Sequence, residues 1–277
     1  MQALFFTIFI FISSVTYAQQ LKATYSMKVT RNVDFSGNPN MPKQVADRIK
    51  KRLSEPVNYD LFFDKNQSIY KKQEKLDAPQ SSSRGGMMFR FGGGSQNIIH
   101  TNLATRKQTN QQELFGKLFL VNNNLKTPGW NFTGETKQIG QYTAYEATYT
   151  QMQNPSQFRM SFGRRSKNNE EEEKEPEKIE VTVSVWFTPD IPISAGPDTY
   201  FGLPGLVLMV QDNNKVLVCT EVQMNPKEKI KLMAPKKGKE VTDKEFNKIR
   251  EEKMKEMRDR FQNNSNRGTQ SRVFIRN

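Results

Sequence analysis

The chain is poor in the residues that most often build metal sites and covalent cross-links. Its 277 residues hold one cysteine, Cys219, and one histidine, His100. A single cysteine excludes an internal disulfide. Two such side chains cannot assemble the three or four nitrogen and sulfur ligands of a zinc site. A Ser/His/Asp triad would have to use His100, and no G-x-S-x-G turn is present to raise a nucleophile. No D-x-D-x-D-G loop offers a calcium cage. Gly92-Gly93-Gly94 is followed by Ser95-Gln96 and by no Lys-Ser/Thr pair, so it is not a phosphate loop. Long apolar runs are also missing. Leu4 to Ile12 is the most apolar stretch, too short for the roughly 20 residues a membrane span needs.

That short run has another use. With Ser13, Ser14 and Thr16-Tyr17-Ala18 after it, residues 1–18 read as a secretory signal peptide cleaved after Ala18. Gln19 follows instead of Cys, which disfavours a lipid anchor. The expected mature protein is exported, to the periplasm or the outer-membrane periphery. Stability must come from core burial, and Cys219, inside Val216-Leu217-Val218-Cys219, is expected to be a buried inert thiol.

Basic residues are in excess: the formal charge is +13. The segment 227–277 carries 16 Lys and Arg against 8 Asp and Glu, a net of +8. Export argues against nucleic acid as partner and leaves an anionic membrane surface, contacted peripherally, or an acidic protein.

Along the chain, period-two alternation marks strands. They are expected at 21–33, 57–64, 68–73, 98–109, 113–121, 130–138, 141–151, 178–187, 206–210 and 216–224. A short helix at 43–53 carries Val45, Ile49 and Leu53 on one face. A second helix begins at Thr242, where Thr242-Asp243-Lys244-Glu245 is a capping box and Phe246, Ile249, Met257 and Phe261 form a narrow apolar stripe. Glu251/Lys255 and Glu256/Arg260 are spaced for ion pairs. Residues 76–96 read as a flexible glycine- and serine-rich insertion, with Met87, Met88, Phe89 and Phe91 as an apolar lip for a hydrophobic ligand or partner. Residues 154–177, with the run Glu170 to Glu173, read as a solvated insertion. The organisation is thus a leader at 1–18, a β domain at 19–226 and a basic helical extension at 227–277. The expected fold is mainly β: an antiparallel sheet forming a partly open barrel, with a C-terminal amphipathic helix.

The stretch Gly202-Leu203-Pro204-Gly205-Leu206-Val207 punctuates this pattern. Pro204 and Gly205 suit positions i+1 and i+2 of a type II turn, which requires positive φ at Gly205. Leu206 to Val210 is apolar at every position, so the turn launches a strand covered on both faces. Before it, Pro189 and Pro192 prevent central pairing and Gly196-Pro197 adds a turn. Glu146, Glu180 and Glu221 lie on expected strands; they read first as solvent-facing alternates in a sheet, and are the carboxylates an interior hydrolytic site would use if they faced inward.

Several anchors together resemble the GLPGLI family of exported Bacteroidetes proteins. They are Trp130; Lys137-Gln138-Ile139-Gly140-Gln141-Tyr142; Glu146-Ala147-Thr148; Val185 to Ile193; Gly196-Pro197; Tyr200; the Gly202 to Val207 turn; and Asp212. Val207 departs from a final Ile, and Ala144 stands where Cys is common. The resemblance implies no activity, cofactor or metal. It implies a cell-envelope protein associated with TonB-dependent receptors, and its β-architecture suggests analogy with lipoprotein-carrier half-barrels.

The functional expectation is a non-enzymatic envelope binding or accessory protein, linked to an outer-membrane transporter or another envelope protein. An apolar-ligand or lipid carrier, and a carboxylate-based hydrolase, are the alternatives. The expected partner surface is Trp186, Pro189, Pro192, Gly196, Pro197, Tyr200, Gly202, Pro204 and Gly205.

Overall fold

The computed structural model describes residues 20–29, 42–73, 97–153, 178–213, 215–227 and 232–270. The leader at 1–18, the insertion 76–96 with Met87, Met88, Phe89 and Phe91, and the insertion 154–177 lie outside the described residues.

Twelve strands form one sheet that is not closed. In chain order they are β1 (Leu21–Val29), β2 (Val57–Asp64), β3 (Gln67–Lys72), β4 (Ile98–Asn102), β5 (Lys107–Leu114), β6 (Lys117–Asn124), β7 (Asn131–Ile139), β8 (Tyr142–Gln153), β9 (Ile179–Thr188), β10 (Leu206–Asp212), β11 (Lys215–Met224) and β12 (Lys239–Val241). Helix α1 (Lys43–Ser54) links β1 to β2, and α2 (Asp243–Gln270) ends the described chain. Two up-and-down meanders, β1 to β6 and β7 to β11, are joined where β1 pairs antiparallel with β11. β12 then adds to β6 in parallel.

The expected strands 98–109 and 113–121 are in fact three. The chain turns at 103–106 and again at Phe115-Gly116, where both residues have positive φ, as a two-residue hairpin turn of the I′ kind requires. Gly116 was the available signal; an aromatic residue in the left-handed region obscured it.

Connectivity forces the curvature. β6 and β7 stand ten strand spacings apart in the sheet order, which in a flat sheet is about 48 Å. Yet only residues 125–130 separate Asn124 from Asn131, and an extended link of that length reaches no more than about 25 Å. The sheet must curl until its edges approach, giving a partly open barrel. The link is fastened as it crosses. Leu125 N donates to Arg106 O (2.8 Å), and Trp130 Nε1 donates to Phe201 O (3.2 Å).

Register assigns the faces. Leu21, Ala23 and Tyr25 on β1 align with Phe63, Leu61 and Tyr59 on β2, and Tyr70 follows on β3. With Val183, Val185, Val207, Val210 and Leu217 they form the inner, buried face. On the other side of β3 the inner face turns polar: Ser68, Thr101 and Gln108 align, as do Ile99 and Asn110. Beyond that, Phe119, Val121 and Val241 meet Phe246 of α2, whose ring lies edge-on to Phe119 at 5.5 Å. The capping box forms as expected. Thr242 N donates to Glu245 Oε2 (2.8 Å), and Glu245 N donates back to Thr242 Oγ1 (3.3 Å). Among the described residues the ion pair on α2 is Lys253–Glu256 at 2.8 Å, an i,i+3 pair in place of the expected Glu251/Lys255 and Glu256/Arg260.

Candidate functional site

Residues 189–205, between β9 and β10, are the longest described stretch without regular structure. They run along the inner face instead of over the surface. Ile191, Ile193, Ala195, Tyr200 and Leu203 are buried in the same cluster as the inner residues of β1, β2 and β8 to β11. The prolines explain the route: with two donors missing, the chain cannot extend the sheet. It closes short local bonds, Ile193 N to Ile191 O and Ala195 N to Ile193 O, both 2.7 Å. It then binds the start of β10 through Leu206 N to Ile191 O and Val207 N to Ala195 O, both 3.0 Å.

Two glycines permit this packing. A Cβ at Gly196 would lie 2.8 Å from Val207 Cγ2. A Cβ at Gly205 would lie 2.1 Å from the carbonyl oxygen of Thr188. The expected type II turn is not what forms. Positive φ occurs at Gly202 (+89°), and Gly205 is not among the positive-φ residues. Gly205 is needed for close backbone approach, and the left-handed residue of the motif is Gly202.

A polar clamp holds the segment. Tyr200 Oη donates to Asp212 Oδ2 (2.7 Å), and Gln153 Nε2 donates to Asp212 Oδ1 (2.7 Å). Lys215 Nζ bridges Asp198 (3.4 Å) and Asp212 (3.7 Å) and stands 5.1 Å from the Tyr200 ring centroid. Burial, reinforced by the bond to Asp212, pushes the Tyr200 phenol far above its ordinary value. Burial also raises Tyr149, to about 12, and raises Tyr59 and Tyr70, with Asp198 adding to all three. These phenols stay neutral and serve as packing and hydrogen-bonding groups.

The residues expected to form one partner surface therefore separate. Gly196, Pro197, Tyr200 and Gly205 are buried within the barrel, whereas Pro189, Pro192, Gly202 and Pro204 are exposed. Trp186 lies on the outer face of β9, aligned with Glu146 on β8 and Met209 on β10. There Lys137 of β7 places its ammonium 3.8 Å from the Trp186 ring centroid and 3.2 Å from Met209 Sδ. The sequence carried Lys137 only as the first residue of the family-like stretch Lys137 to Tyr142, with no role attached; its hairpin register with Ala144 puts it on the Trp186 face.

The three glutamates that a hydrolytic interior would need all face outward, as solvent-facing alternates of their strands. Glu146 accepts from Thr133 Oγ1 (2.9 Å) and Ser184 Oγ (2.5 Å), while Glu180 and Glu221 are exposed. His100 lies on the outer face of β4, buried against Gln67 at 3.1 Å, and burial lowers its pKa from 6.5. Burial pushes the Cys219 thiol up to about 12, well away from thiolate chemistry. Among the described residues no group of three or more His, Cys, Asp or Glu is placed to hold a metal ion, and no helix is long and apolar enough to cross a membrane.

Two exposed aromatic rings, Phe132 and Tyr145, lie together near the open edge, whereas Met152 and Ile179 lie at the far end of β8 and β9. β7 is the last strand of the sheet and is exposed along most of its length. Phe132 is 58% exposed, Tyr145 41%, Met152 61% and Ile179 44%, all on β7, β8 and β9. Phe132 and Tyr145 flank Phe187 at centroid distances of 6.0 and 6.2 Å.

A family described as "Protein of unknown function (Porph_ging)" matches residues 130–209, from Trp130 into β10. It covers the stretch that holds the inward segment, the outer cluster and the open edge. No curated protein matches the chain. Two solved structures are similar in outline, "Structure of PNGF-II in C2 space group" and "Structure of PNGF-II in P21 space group". The first has TM-score 0.48 and 14% identity, covering 84% of this chain and 32% of that one. The second has TM-score 0.47 and 14% identity, covering 84% and 33%. The chain thus spans about a third of the length of those structures.

Proposed function

We propose that this protein is a non-enzymatic binding or accessory protein of the cell envelope, of the GLPGLI type. Exported by its leader at 1–18, it works in the periplasm or at the outer-membrane periphery. Its partner is a protein, with an outer-membrane transporter as the first candidate, and it engages that partner across the open edge at β7 to β9. The observation that carries this reading is the pair of exposed rings Phe132 and Tyr145, flanking Phe187 beside β7, which among the described residues is an unpaired sheet edge. Apolar side chains gathered at one place on a soluble surface are characteristic of interaction sites, and an unpaired edge offers backbone donors and acceptors to an added strand.

The carrier and hydrolase readings have less support. Segment 189–205 lies in the apolar half of the interior, where a carried ligand would sit. Glu146, Glu180 and Glu221 face outward and do not converge.

The test is site-specific photo-crosslinking in the cell of origin, with the photoreactive residue at 132, 145 or 152 and, as controls, at 45 or 224. Crosslinks from the first three positions to one envelope protein, absent from the controls, are expected. The same products from all five positions, or none from 132, 145 and 152, would refute the reading.

A further inference from the structure

We propose that Lys137 and the indole N–H of Trp186, brought together on the outer face of β7 to β10, form a carboxylate-binding site that takes an acidic side chain of the protein partner. This deepens the proposal that β7 to β9 are the partner surface, and it rests on that reading; by register Lys137 and Trp186 lie on the face opposite Phe132 and Tyr145, so the partner reaches both faces around the β7 edge.

The argument is a count of donors and acceptors. Trp186 Nε1 is buried and has no hydrogen-bond partner; the only other buried side-chain atom so left among the described residues is Asp64 Oδ1. A buried N–H without an acceptor is costly, and native structures rarely retain one without a use. Lys137 is the second donor in deficit. Its ammonium is set against an aromatic ring and a thioether sulfur, and among the described residues no carboxylate lies within 4.0 Å of it.

Glu146 is on the same face, but both of its oxygens already accept hydroxyl hydrogen bonds, from Thr133 and Ser184. One cationic donor and one neutral donor therefore lack an oxygen between them. A carboxylate supplies two oxygens and a compensating charge, and charge-assisted hydrogen bonds of this kind are the strong ones. Desolvation lowers the Lys137 pKa, and the nearby Glu146 charge offsets it only in part. Lys137 is also the member able to adapt, because its four-carbon stem lets the ammonium leave the ring face when an acceptor arrives. The basic balance of the chain, +13, favours an acidic partner as well.

The probe is sodium acetate, added to the full mature chain and followed through the indole resonances in 15N–1H correlation spectra. The protein has two tryptophans, and Trp130→Phe identifies the Trp186 signal. Acetate should move that signal saturably, while chloride at equal ionic strength should not. Lys137→Met keeps the apolar stem and should weaken the apparent acetate affinity about tenfold, as loss of a charge-assisted contact implies.

A Trp186 signal that stays still, moves equally with chloride, or keeps its acetate response in Lys137→Met overturns the site. So does a wild-type signal already in the acetate-bound position that moves back when Glu170 to Glu173 are replaced by Gln, since the chain's own acidic run would then be the occupant. Failure of the crosslinks at 132, 145 and 152 would overturn the partner surface; a silent indole beside positive crosslinks overturns only the carboxylate.

Discussion

The two halves of the curled sheet are held together by different physics. On β1, β2 and β8 to β11 the inner face is apolar and buries Leu21, Tyr25, Leu61, Val185, Val210 and Leu217 beneath a length of the protein's own chain. On β4 and β5 the inner face carries Thr101, Gln108 and Asn110. β5 has no apolar residue from Lys107 to Glu113, yet it is a central strand, and Gln108 and Gln111 are each only 6% exposed. Apolar surface is stabilised by covering it, at about 25 cal/mol per Å² removed from water. A buried amide is stabilised only if its hydrogen bonds are made; Gln108 Nε2 donates to Thr101 Oγ1 at 3.2 Å. The apolar half thus requires segment 189–205 as a cover, and the amide half requires cross-strand side-chain bonds. A defect in the cover should cost far more than a defect in one amide.

Gly205→Val is the sharpest way to break the apolar half. Its Cβ would fall 2.1 Å from the Thr188 carbonyl oxygen, against backbone that cannot move without lifting the segment. Urea denaturation should show a loss of about 4 kcal/mol or no folded protein at all. Gly140→Ala is the control. At φ +60° with nothing within 4 Å of the added carbon, it should cost only about 1 kcal/mol of backbone strain. Equal losses in the two variants would show that conformation, not close approach, governs both glycines.

That pair of glycines also marks what the sequence could disclose. Period-two alternation located the hairpins β2/β3 and β7/β8, and an unbroken apolar run followed by an Asp-Asn-Asn turn located β10/β11. Alternation merged β4 with β5, whose amides carry no polarity contrast between faces. Trp186, Tyr200 and the glycine–proline motif were visible as unusual residues, but their division between inside and outside was not. That division depends on the inward course of 189–205, fixed by contacts with β9 and β10 across the fold. The role of Lys137 was invisible for the same reason: a lysine on an edge strand gains meaning only from the ring two strands away.

Tyr200→Phe should be the next largest effect. It leaves the ring in place and removes the donor to the buried carboxylate of Asp212. A loss of about 2 kcal/mol is expected, because hydrogen bonds to charged groups contribute more than neutral ones. The same tyrosines set an alkaline limit. Their folded pKa values lie above the unfolded value of about 10, so their contribution is complete below that pH. It is lost as pH rises, through about 12 for Tyr149. Thermal unfolding followed from pH 8 to 11 should show the decline beginning near pH 10, and Tyr59→Phe should reduce its slope. A midpoint independent of pH over that range would contradict the burial of these phenols.

The smallest expected effect belongs to the amide half and has the opposite pH sense. His100 is buried on β4 against Gln67, and burial lowers its pKa below 6.5. The unfolded chain therefore takes up the proton first as pH falls. The neutral ring's contribution is present above pH 6.5 and is lost as pH drops through the folded-state value. Acid should thus weaken the amide half while the tyrosines of the apolar half are indifferent to it. Hydrogen exchange at pH 7 and pH 5 separates the two, after correction for the intrinsic pH dependence of exchange. Protection should fall at Ile99 to Thr101 and hold at Val183 to Val185, and His100→Gln should remove the difference. Uniform loss over both halves would mean that the sheet opens as one unit and that the two halves, though built differently, share one stability.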